Sequence, residues 1–99
     1  LPDAENPDEE LILKLVQQGQ LMMVQGHVAS ARLLFRRAAD SGSAEAALLL
    51  GDTFDAGRLQ TLGVRGIAGN VEQSIRWYEK ADELGSSEAK GRLMSIPAR

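Results

Sequence analysis

Residues 26–46 read GHVASARLLFRRAADSGSAEA, and residues 69–89 read GNVEQSIRWYEKADELGSSEA. Laid over each other, Gly26 meets Gly69, Val28 meets Val71, Phe35 meets Tyr78, Ala38 meets Ala81, and Gly42 meets Gly85. Glu45-Ala46 likewise meets Glu88-Ala89, all at an offset of 43 residues. A fixed period with one supersecondary unit per copy marks a stacked-repeat architecture, in which neighbours bury the apolar face that one unit cannot bury alone. Within each copy the apolar positions follow the helical period. The expected fold is all-α: antiparallel helix pairs stacked into a short right-handed α-α superhelix, without strands.

Working outward, the echo itself predicts helices over about residues 28–41 and 71–84, each ended by a glycine that permits the left-handed turn. Val28, Ala31, Leu34, Phe35 and Ala38 form the buried stripe of the first. Val71, Ser74, Ile75, Tyr78 and Ala81 repeat it in the second, with Trp77 and Leu84 extending it. Asn70 is placed to cap the second. His27, the single histidine, stands at the matching position and reads as a turn residue. A helix follows each turn, over about 44–56 with Ser43 as its cap, and over 87–95, stopped by Pro97. Ala47, Leu50, Gly51 and Phe54 line the core side of the former. Upstream, a helix is expected over about 7–24, with Asn6 as cap, Pro7 in its first turn and Asp8, Glu9 and Glu10 favouring the positive end of its dipole. Its core face is Leu11, Ile12, Leu15, Gly19 and Met22. Leu13, Val16, Met23 and Val24 form a second apolar set that one stripe cannot absorb. Residues 1–7 read as an acidic linker or tail, and 8–99 as the repeat domain.

Residues 57–70, GRLQTLGVRGIAGN, break the pattern. Glycines at 57, 63, 66 and 69 disfavour helix and strand, so a long loop is expected. Leu59, Leu62, Val64 and Ile67 would fold back on the helices. The run lacks the lysine followed by serine or threonine of a phosphate-binding loop.

The composition narrows the chemistry. The 99 residues suffice for one domain, and 43% are hydrophobic but only 4% aromatic, so alanine, leucine and valine must fill the core. A net charge of −3 argues against nucleic acid as partner. Arg32, Arg36 and Arg37 share one short helix and read as a solvated face. No apolar run reaches the length of a membrane span, so direct membrane insertion is not expected. There is no cysteine, which removes thiolate chemistry and disulfides and leaves the redox compartment open. With one histidine and no acid pair in an apolar setting, no catalytic residues, metal site or cofactor is expected.

The run Ala46-x-x-x-Leu50-Gly51-x-x-Phe54-x-x-Gly57, then Gly66-Ile67-x-x-Asn70, then Trp77-Tyr78-x-Lys80-Ala81-x-x-x-Gly85, resembles a Sel1-like repeat. The first copy is similar to the related tetratricopeptide repeat (TPR), with Gly19, Met22, Gly26, Ala31, Phe35 and Ala38 at its small and large packing positions. Relative to such repeats the second copy holds about seven extra residues, between Gly57 and Gly66. The resemblance implies a scaffold or adaptor that binds a protein or peptide on its concave face and has no catalytic residues. It implies structural roles for Gly19, Ala31, Phe35, Ala38, Gly51, Phe54, Trp77, Tyr78 and Ala81. It implies a partner face of Leu13, Val16, Gln20, Met23 and Val24 from the first helix, with Glu45, Leu48, Asp52 and Asp55 from the third. An apolar patch beside an acidic rim would suit a partner with an apolar anchor near a lysine or arginine. The alternative function is a structural or oligomerisation module, or a capping fragment of a longer repeat protein, in which the surplus apolar helix packs on itself or on a missing repeat.

Overall fold

The computed structural model describes residues 7–97, so the acidic residues ahead of Pro7 and the capping role of Asn6 lie outside the described part. Six helices follow in order: α1 (Pro7–Val24), α2 (Val28–Asp40), α3 (Ala44–Phe54), α4 (Ala56–Thr61), α5 (Val71–Glu83) and α6 (Ala89–Ser95). No strand occurs among the described residues. The fold is all-α, as the periodicity predicts, with six helices rather than five.

The turns are built alike. After α1, the Gly26 amide donates to the Met23 carbonyl and the His27 amide to the Met22 carbonyl, with Gly26 at φ +84°. The same paired closure recurs at Gly42, Gly63 and Gly85, all at positive φ. Only glycine adopts this backbone without strain, and the closure satisfies carbonyls that a helix end leaves open. Side-chain caps start three helices. Ser43 Oγ accepts from the Ala46 amide, Asn70 Oδ1 from the Gln73 amide, and Asp55 Oδ1 from the amides of Gly57 and Arg58. His27 occupies the cap position of α2 but makes no capping bond.

The long helices pack in chain order: α1 on α2, α2 on α3, α3 on α5, and α5 on α6, giving a body of 48 × 28 × 16 Å. The small-residue core brings them close. Ala31, Ala38, Ala46, Ala47, Ala81 and Ala89 are fully buried. Two aromatic rings lie directly on glycines of a neighbouring helix. A methyl built on Gly51 would sit 2.5 Å from Tyr78 Cδ1, and one on Gly19 would collide with the ring of Phe35. This explains a glycine in mid-helix in both α1 and α3, at a propensity cost of about 1 kcal/mol each.

The predicted 57–70 loop is part helix. Asp55 caps a short α4, whose Leu59 is buried, and Gly63 closes it. Of the four apolar residues expected to fold back, only Leu59 is buried; Val64 is half-buried, while Leu62 and Ile67 stay exposed. The excursion is pinched at its base, where the Asn70 amide donates to the Phe54 carbonyl at 2.7 Å. Gly69 permits that approach: a methyl there would lie 2.9 Å from the same carbonyl oxygen. Residues 55–69 thus form a lasso beside an uninterrupted α3–α5 contact.

Candidate binding groove

Helix α1 presents more apolar side chains than α2 can cover. The excess forms one wall of a groove. Gln20, Met23 and Val24 stand on that wall, Leu49 and Asp52 of α3 face them, and Arg58 and Leu62 close the end from the lasso. The edge of Phe35 forms part of the lining, and the enclosed volume is about 210 Å³. Val24 is 85% exposed, although its neighbours on the other side of α1, Leu15 and Gly19, are buried. The groove therefore follows from the second apolar set of α1, brought opposite α3 by the α2 hairpin.

A charged network lies beneath it. Asp52 is only 3% exposed. Its Oδ1 accepts from Tyr78 Oη at 2.6 Å and from Arg92 Nε at 2.8 Å, and its Oδ2 accepts from Arg92 Nη2 at 3.2 Å. The phenol of Tyr78 is also 2.8 Å from Asp55 Oδ2, so one hydroxyl proton serves two carboxylates. Burial raises the Tyr78 pKa above its ordinary value, and the hydrogen bonds and charges of Asp52 and Asp55 add to the rise. The Asp52 hydrogen bond raises the Arg92 pKa in turn. Arg58 Nε stands 3.6 Å from Asp52 Oδ1, an ion pair too long for a hydrogen bond. Asp52, buried, and Asp55, half-buried, thus share one phenol, and the network they make joins α3, α5 and α6.

On the far side of Arg58 a second hollow, about 560 Å³, lies between Phe54, Asp55, Asn70, Val71, Ser74 and the end of α6 at Ile96 and Pro97. It exists because the copies differ. Val28 is 2% exposed, whereas its echo Val71, expected in the buried stripe, is 48% exposed. At the 43-residue offset Pro97 replaces Phe54, and α6 stops at Ser95 because proline cannot continue it.

The expected partner face divides. Gln20, Met23 and Val24 do come together in the groove. Leu13 and Glu45 are exposed but outside its lining. Val16 and Leu48 are core residues, packed with Leu15, Ala38 and Ala47, and are not available to a partner. Asp52 and Asp55 form no acidic rim: Asp52 is bound internally, and Asp55 caps α4 and faces the second hollow. Arg32 is not a solvated charge either. Its Nη2 donates to the Thr53 carbonyl at 2.6 Å and its Nε to Thr53 Oγ1, while the guanidinium stacks 4.0 Å from the Phe54 ring centroid. Burial there lowers its pKa. Trp77 packs half-buried against the core, with Arg36 over its ring.

Sequence reading missed Arg58 and Arg92, and it expected Leu62 folded back on the helices rather than exposed at the end of a groove. The aspartate three residues ahead of Arg58 is a helix-start signal that the glycines masked. Nothing local points to Arg92, whose partner is 40 residues away. Among the described residues no cluster of histidine, aspartate and glutamate could hold a metal, and no helix is long and apolar enough to cross a membrane. Compared with known protein families, curated proteins and solved structures, the chain matches none.

Proposed function

We propose that this domain is a protein-interaction module of the Sel1-like and TPR-like kind, its helix pairs stacked as a right-handed superhelix, and that it binds a segment of a partner protein in the groove between α1 and α3. The observation that carries this reading is the open apolar wall of Met23 and Val24, which with Leu49 and Leu62 lines a cleft of about 210 Å³. Concave, mostly apolar clefts with a few polar groups are what peptides occupy. The buried acids and Arg92 bond to one another and hold helices together, so the reading assigns them no catalysis, cofactor or metal.

The test compares wild type with Val24→Glu and Leu62→Glu, two exposed groove positions, and with Leu33→Glu, an exposed apolar position on α2 outside the lining. Proteins captured from a lysate by wild type and Leu33→Glu should be lost with both groove variants. Equal capture by all four folded proteins would reject the groove.

A second reading has its own observation. Leu11, Leu13 and Leu21 are exposed on α1, Leu13 at 55%, beyond what the groove uses. Self-association through α1 would cover them. Sedimentation separates the two readings: a mass that doubles with concentration and returns to monomer in Leu13→Glu, Leu21→Glu favours assembly, and a constant monomer mass favours the groove.

A further inference from the structure

The charges around the groove point to its occupant. Asp52 is saturated by Tyr78 and Arg92, and Asp55 by Tyr78 and the amides at the start of α4. Arg92 is held at Asp52, with Nη1 also 3.8 Å from Glu88 Oε2. Arg58 differs. Among the described residues its side chain finds no hydrogen-bond partner, its Nε is buried without an acceptor, and its nearest anion is the already occupied Asp52 at 3.6 Å. About a third of the side chain (35%) remains exposed, where Arg58 stands between the end of the groove and the second hollow and lines both. The other lining residues that are open to a ligand, Gln20, Met23, Val24, Leu49 and Leu62, carry no charge. The groove thus joins an apolar wall to one cation whose planar donors are unused.

We infer that the groove binds a protein segment in which an apolar side chain lies within a few residues of an aspartate or glutamate, the apolar group resting on Met23, Val24 and Leu62 and the carboxylate seated on the outer edge of Arg58. This rests on the groove reading above and deepens it. A carboxylate matches the guanidinium fork two bonds at a time, and charge-assisted bonds of that kind are the strong ones. It reverses the expectation of a lysine- or arginine-bearing partner, because the acids behind that expectation are already bound inside the protein.

The experiment is a selection from random peptides of about a dozen residues displayed with both ends fused, so that no free terminal carboxylate is present. Wild type should enrich peptides with Asp or Glu close to Leu, Ile, Met or Phe, and Val24→Glu should lose them. A selected peptide, synthesised with blocked ends, should lose about tenfold in affinity when its acid becomes the amide, the size of one charge-assisted contact. Arg58→Gln should cost the same, and combining both changes should cost no more than either alone. Arg58→Glu should turn the preference towards Lys and Arg. Far-ultraviolet circular dichroism checks folding, and if Arg58→Gln unfolds, the acid-to-amide change on wild type and its loss of effect in high salt decide the matter. An acid preference that is absent, that survives Arg58→Gln, or that is abolished by Val71→Glu in the second hollow but not by Val24→Glu would overturn the inference. If folded wild type enriches nothing over Val24→Glu, the groove reading itself fails.

Discussion

Glycines in this chain have opposite meanings at different sites. At Gly51 the ring of Tyr78 occupies the space of a side chain, whereas at Gly91, inside α6, nothing lies within 4 Å. The same substitution should therefore change sign. Gly51→Ala should lower stability by about 1–3 kcal/mol through overpacking, despite the better helix propensity. Gly91→Ala should raise it by about 0.5–1 kcal/mol. Urea midpoints of the two variants check both. Tyr78 gives a second prediction at this scale. Its folded pKa lies above the ordinary 10.0, so folding keeps the proton that the unfolded chain gives up. That contribution is complete below pH 10 and is lost as the pH climbs beyond it, by up to about 1.4 kcal/mol per unit. Because the chain holds one tyrosine, phenolate absorbance should appear only as the protein unfolds, and Tyr78→Phe should flatten the alkaline fall. Phenolate absorbance rising near pH 10 in folded protein would contradict this. The two ring-on-glycine contacts were foreseeable, since Gly19, Phe35, Gly51 and Tyr78 stand out by type and position. The bond from Tyr78 to Asp52 was not: an aspartate in a helix reads as surface by default, and its burial depends on an arginine in another helix.

For the helices, most boundaries were readable because each is written in local chemistry: a capping oxygen at the start and a glycine in left-handed conformation at the end. The short α4 escaped because Gly57 and Gly63 weaken the helical pattern, although Asp55 and Gly63 are themselves its cap and its closure. The lasso that carries it should behave as an appendage. Arg65 lies on its exposed stretch, so trypsin should cut there early, and the two fragments should co-elute with their helical signal kept, because α3 and α5 pack directly. Fragments that separate without denaturant would show instead that the lasso holds the halves together. Leu59 is its buried anchor, and Leu59→Ala should cost about 2–3 kcal/mol on the urea scale.

Over the whole molecule, helices that pack mainly on the neighbours beside them in the stack leave the last one weakly held unless something else ties it down. Here the tie is Arg92, which carries α6 to Asp52 of α3 across α5. Arg92→Leu should destabilise the domain by about 3 kcal/mol, since Asp52 would be left buried with its main cation gone. Amide exchange should rise first in α6, and protection there equal to wild type would refute the tie. The pinch between the Phe54 carbonyl and the Asn70 amide has a different consequence. The chain leaves the stack and rejoins it at points one hydrogen bond apart, so the stack does not register how much sequence lies between them. That makes the position a port: residues spliced in there add no strain to the helices, yet they emerge beside the groove. An engineer could place a reporter in the exposed stretch after Gly63 while leaving the packing of α1, α2, α3, α5 and α6 as it is.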